Sequence, residues 1–162
     1  MRRADPSGDM PFVENLWSFA LNTYQKPEVA RLCLQWQDAY GADINLLLTA
    51  AWLAAEQKTW TLEVVAALER HCAAWRRYGV LPLRAVRRGV NGSELYSILK
   101  ALELEAERLQ LAMIEGWLAE HPLPIAGPLP AQCVAINLQE YARSKPLVSV
   151  PAALVDELIA RL

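Results

Sequence analysis

The residues of this chain best suited to chemistry stand in the stretch Arg76–Arg88, "RRYGVLPLRAVRR", which holds five arginines and no acidic residue. Arg84, Arg87 and Arg88 fall at i, i+3 and i+4, so on a helix they share one face. Arg76 and Arg77 close the preceding helical pattern, where cations suit the helix dipole. An arginine offers a planar donor fork that fits carboxylate or phosphate in a bidentate way. Three targets compete for these forks. One is the acidic surface of another protein, a second copy of this chain included. The second is RNA or DNA. The third is internal: Glu103 and Glu107, an i, i+4 pair on one face of the long helical pattern that follows, could neutralise the arginines within the fold. A net charge of −2 and a pI near 5.7 argue against nucleic acid, whose binders carry a basic excess.

A second cluster lies in "QWQDAYGADIN", Gln35–Asn45, around a tight interhelical turn. Gln37, Asp38, Asp43 and Asn45, with Trp36 and Tyr40 beside them, could form a polar pocket with aromatic walls for a small molecule or a substrate. The plainer reading is capping. Asp43 would accept N–H bonds from the next helix, and Asn45 in its first turn would find a backbone partner. Trp60, in the loop "KTWT", is either an exposed contact residue or a side chain folded over the edge of the core.

Other chemistry is poorly supplied. His71 and His121 have no ligand-like spacing to cysteine or carboxylate. Glu103-x-x-x-Glu107 could be half of a carboxylate–metal site, but the Glu-x-x-His pairs such bundles need are missing. No nucleophile-elbow, phosphate-loop or dinucleotide motif occurs. His71 and Cys72 are helix neighbours and point about 100° apart, which is no dyad. No metal or cofactor is expected, and a non-enzymatic role leads over an enzymatic one.

The elements that must carry these residues all read as helices. Pro11 can open the first, to about Thr23, with Phe12, Leu16, Phe19 (or Ala20) and Thr23 on one side. Pro27 begins the second, which runs to Tyr40 and stops at Gly41. Asp43 caps a third over Ile44–Lys58, apolar almost all round and therefore central and buried. Thr61 caps a fourth, to Tyr78, which Gly79 ends. A short fifth runs from Pro82 to about Gly89, with Leu83, Val86 and Val90 as its anchor to the bundle. The longest covers Glu94–Glu120, where Leu95, Leu99, Leu102, Ala106, Leu109, Met113 and Trp117 form a near-3.5 packing seam. "HPLPIAGPLP" has four prolines in ten residues and must be extended. Two modest helices follow, about Ala131–Arg143 and Pro151–Leu162, split by "SKPLVSV".

The expected fold is one all-α domain of 162 residues: a compact multi-helix bundle around a central buried helix, with a C-terminal helical extension. Residues 1–120 form the bundle, 121–130 the Pro-rich linker, and 131–162 the C-terminal helices, docked on the same domain. The apolar share of 54% exceeds the usual value and suits a thick core or an oligomer contact. The most apolar run, Ile44–Ala55, is 12 residues long, too short for the roughly 20 of a membrane span. The N-terminus lacks the apolar stretch of a secretory signal. Three well-separated cysteines, Cys33, Cys72 and Cys133, suggest buried inert thiols and a cytoplasmic setting.

Three stretches together, "LWSFALNTYQKPEVARLCLQWQDAYGADINLLLTAAWLA", "PLRAVRR" and "KALELEAERLQ", resemble a family of small helical proteobacterial proteins known only as a domain of unknown function. The resemblance spans roughly Leu16 to Trp117 and does not extend to the Pro-rich linker or the last two helices. It implies a helical, cytoplasmic, bacterial protein and carries over no activity, ligand or site residue. The leading expectation is therefore an interaction protein that meets an acidic partner through Arg76, Arg77, Arg84, Arg87 and Arg88. The alternatives are a binder or enzyme using the Gln37–Asn45 pocket, and weak RNA or DNA binding through the same arginines.

Overall fold

The computed structural model describes residues 14–127, 129–145 and 149–162. Pro11 and Phe12 of the expected first helix, Pro128 of the linker and residues 146–148 lie outside them. The described chain is all helical, without a named strand. Helix α1 is Leu16–Tyr24, opened by Asn15, whose side chain accepts the Ser18 N–H at 2.8 Å. Helix α2, Pro27–Tyr40, starts on its proline and ends at Gly41, whose φ of +67° is the left-handed conformation glycine adopts freely. Helix α3, Ile44–Ala55, has Asp43 as its cap, accepting the Asn45 N–H at 3.0 Å. Every residue from Asn45 to Ala54 is buried, so this is the central helix the sequence predicts. It stops three residues short of the expected Lys58, at a turn that holds Gln57 at φ 57°.

The next stretch departs from expectation. Helix α4, Leu62–Trp75, does not end at Gly79 but passes through a π-helical turn, Arg76–Val80, straight into α5, Leu81–Gly89. Trp75, Arg76, Val80 and Leu81 all keep right-handed helical angles. Pro82 is the physical reason for the π turn. It has no N–H to give and its ring crowds the carbonyl four residues back. The widened turn, in which the Leu81 N–H reaches the Arg76 carbonyl, absorbs that conflict without breaking the helix.

Helix α6, Glu94–Glu120, doubles back along α5. Its expected seam is only partly its buried face: Ala106 is buried and Trp117 packs against the core. Leu95, Leu102 and Leu109 are exposed, whereas Glu103, Ala106, Gln110, Leu111, Ile114 and Leu118 point inward. Spacing alone located an apolar stripe, but the polar residues Glu103 and Gln110 take the inside because partners there satisfy them. The polarity of α5 also departs from expectation: Val86 is half exposed, no α5 residue is fully buried, and Arg84 and Arg87 face α6.

After α6 the chain runs extended, tied by the Ala126 N–H to the Gln57 carbonyl at 2.8 Å. Helices α7, Pro130–Arg143, and α8, Ala152–Arg161, then pack into the same core as the bundle. Leu138 and Tyr141 of α7, and Leu154 and Leu158 of α8, join Leu32, Trp36, Leu46 and Leu68 there. Tyr141 stacks on Trp36, with centroids 6.3 Å apart, and its hydroxyl accepts the Asp43 N–H at 2.8 Å. All three cysteines are buried and outside any disulfide, and burial pushes the Cys33 and Cys72 thiols up to about 12. Among the described residues no helix is long and apolar enough to cross a membrane.

Trp60 is no contact residue: it is 2% exposed, and its indole N–H donates to the Asn137 carbonyl at 2.8 Å. Trp36 is equally buried, yet its indole N–H finds no partner among the described residues. Both lose similar apolar area on truncation to Phe, but only Trp60 loses a hydrogen bond. Trp60→Phe is therefore expected to cost about 1–2 kcal/mol more than Trp36→Phe in urea unfolding. Equal costs would show that the Trp60–Asn137 bond contributes nothing.

Candidate functional site

Helix α5 meets α6 through ion pairs where most helix contacts use apolar side chains. Arg84 Nε donates to Glu103 Oε1 at 2.8 Å, its Nη2 to Glu107 Oε1 at 2.8 Å, and its Nη1 to Gln37 Oε1 on α2 at 2.7 Å. Arg87 Nε donates to Glu103 Oε2. The Arg84 side chain is 13% exposed and that of Glu103 8%. Burial alone pushes the Glu103 carboxyl up, but the guanidiniums of Arg87 and Arg84 outweigh it and hold the group below the usual carboxylate value. Burial also pushes Glu107 up. There Arg84 opposes it only in part, and the nearby Glu103 and Asp43 carboxylates add to the rise, so Glu107 stays above its usual value.

The other arginines of the stretch are used differently. Arg76 donates to the Ala42 carbonyl at 3.4 Å and lies 3.7 Å from Asp43. Arg77 is exposed, over the ring of Tyr78. Arg88 is exposed, 3.9 Å from Asp38. The aligned trio of Arg84, Arg87 and Arg88 is thus split: two members turn to α6 and one to the rim.

The Gln37–Asn45 cluster divides too. Asp43 is a cap, as the plainer reading held, and its second oxygen accepts from Gln110 Nε2 at 2.5 Å. Asn45 does not pair with backbone as expected. Its Nδ2 donates to Gln110 Oε1 at 3.0 Å, because α6 rather than a loop lies over the start of α3. Asp38 stays on the surface.

Gln37 and Asn45 line a cavity, and so do Arg84, Arg87 and Arg88. It measures about 440 Å³, opens to solvent, and is walled by α1, α2, α3, α5 and α6. The two clusters that sequence spacing separates are therefore walls of one space. Its apolar lining comes from Trp17, Ala20, Leu48 and Leu111 within, and from Leu21, Leu34 and Leu104 at the rim. Those three leucines remain exposed by 37%, 40% and 46%. The volume falls in the range of roughly 300–1,000 Å³ usual for small-molecule sites. Sequence reasoning missed Trp17, Tyr24, Leu48, Lys100 and Leu104. Each reads as an ordinary core or surface position on its own helix, and only the packing brings them together. Among the described residues no three His, Cys, Asp or Glu side chains converge as a metal-holding group.

Residues 15–114 match a family described as "Protein of unknown function (DUF2390)". That segment covers more than half of the chain and contains every residue lining the cavity. No curated protein and no solved structure matches the chain.

Proposed function

The chain belongs to the DUF2390 family of proteins of unknown function, and we propose that it acts as a binding module for a small amphipathic molecule. The observation that carries this reading is the open cavity of about 440 Å³ with an apolar interior and a hydrogen-bonding edge at Gln37, Asn45 and Glu107. An occupant would cover Leu21, Leu34 and Leu104, which the folded chain leaves in water; removing such area from water is favourable at about 25 cal/mol per Å². The ion-paired edge is held rigidly from two sides, which spares a ligand the cost of ordering it. The arginine-face reading has less to draw on, since Arg84 and Arg87 are engaged by Glu103 and Glu107.

A library of amphipathic small molecules, titrated into isotope-labelled full-length protein and followed by NMR, tests the proposal. Shifts are expected to cluster at Trp17, Leu34, Asn45 and Leu104. Filling the rim with Leu104→Trp should weaken any hit about tenfold, the equivalent of roughly 1.4 kcal/mol. Hits that map elsewhere, or that ignore Leu104→Trp, would remove the cavity as the site.

A further inference from the structure

The charges around the cavity do not balance, and the imbalance bears on what enters it. Four cations line it, Arg84, Arg87, Arg88 and Lys100, against two carboxylates, Glu103 and Glu107. Arg84 and Arg87 are spent on those carboxylates at hydrogen-bonding distance. Among the described residues Arg88 has only Asp38 as an ion-pair partner, 3.9 Å away, with both side chains more than half exposed. So loose a surface pair holds its partners weakly. Lys100 makes no ion pair with any described residue. It stands one helical turn before Leu104, so a free ammonium and an exposed apolar side chain adjoin each other at the mouth. Tyr24 adds a hydroxyl with no hydrogen bond to a described residue, also in the lining. Toward the interior the wall is Trp17, Ala20, Leu48 and Leu111.

Resting on the cavity reading above, we propose that the occupant is an amphipathic anion: an apolar chain whose single acidic head group, carboxylate or phosphate, sits between Lys100 and Arg88. The tail lies against Trp17, Leu48 and Leu111. The head group supplies the negative charge that no described residue offers Lys100. A cationic head is disfavoured, because Glu107, the one carboxylate not doubly engaged, already accepts from Arg84.

Isothermal titration of the full-length protein with decanoate, decyl phosphate, decanol and decyltrimethylammonium decides the matter. The two anions should bind about tenfold tighter than decanol, the scale of one well-placed charge contact near a protein surface. The cation should bind most weakly. Whichever anion binds tighter identifies the head group. Lys100→Glu and Arg88→Glu alter exposed side chains; each should erase the preference for anions over decanol, with a urea midpoint near that of the wild type showing that the fold is retained. Anions no tighter than decanol, with decanol binding still lost in Leu104→Trp, would overturn the charge inference and leave the cavity reading standing. Tightest binding by the cation would overturn it in favour of Glu107 as head-group partner. Silence from all four probes also overturns it, and takes the cavity reading with it where the NMR library is blank as well.

Discussion

Arg84→Met is expected to destabilise the protein by about 3–5 kcal/mol, because removing one partner of a buried ion pair strands the others. Arg84 joins Glu103, Glu107 and Gln37 through three of its donors. Without it, Glu107 loses its only ion pair among the described residues, while Glu103 keeps Arg87. The sign of the pH dependence distinguishes this cause from lost packing. In the native protein Glu103 is held below its unfolded value, so its contribution is present above that value and disappears as pH falls through the folded one. Glu107 is raised, so its contribution has the opposite sense: present at low pH and lost as pH rises. Deleting Arg84 removes a lowering influence from both carboxyls. In the variant the folded state then holds protons more tightly, and stability should rise as pH falls. The gap between Arg84→Met and wild type should be widest near pH 7 and clearly narrower near pH 5, measured as urea midpoints. A gap independent of pH would mean the guanidinium acts through its volume alone. Adding Glu107→Gln should recover part of the loss at pH 7, since it neutralises the carboxyl left stranded.

The same network shows where sequence reading succeeds and where it stops. The central position of α3 was legible, because a run apolar on all sides has one stable location. The caps Asn15, Asp43 and Thr61 mark local backbone chemistry, and of these Asp43 and Thr61 were named from sequence. The competition for the arginine forks was also visible, with Glu103 and Glu107 as the internal candidates. Its outcome was not. Whether Arg84 faces α6 or solvent depends on how α4 continues into α5, and Pro82 and Gly79 both suggested a break there. The π turn keeps the helix intact and fixes which way the arginines face. Once Glu103 and Gln110 are drawn inward by their partners, the leucines at 95, 102 and 109 must turn outward. A periodic pattern records which residues share a face; it does not record which face is buried. The cavity was out of reach for a related reason. Its lining comes from five helices, and no single spacing encodes a space between them.

Asn137→Ala is the second substitution with a large expected effect, about 3–5 kcal/mol, at a position the sequence did not single out. Asn137 on α7 is fully buried. Its Nδ2 donates to the carbonyls of Ala50 and Lys58, each at 3.0 Å, and its Oδ1 accepts the Trp60 N–H at 2.9 Å. One side chain thus satisfies the irregular turn between α3 and α4, where backbone groups have no helix to serve them. The Ala50 carbonyl lies within α3 and keeps its helical neighbour as a partner, but the Trp60 N–H and the Lys58 carbonyl would be stranded, at about 1–3 kcal/mol each. Asn137→Asp separates hydrogen bonding from volume. An ionised Asp can accept from Trp60 but turns a negative charge toward two carbonyls. Its carboxyl should therefore be raised above the unfolded value of about 3.9. Stability should be greatest in acid, where the protonated group can donate once, and should fall as pH rises. Urea unfolding of both variants between pH 4 and 8 reads this directly. A flat Asp profile would show that the side chain fills space without bridging the turn. The turn anchors the C-terminal end of α3, whose other end carries the cavity residues Ile44, Asn45 and Leu48. The helix that braces the cavity wall therefore comes from outside the segment that defines the family, which ends at residue 114.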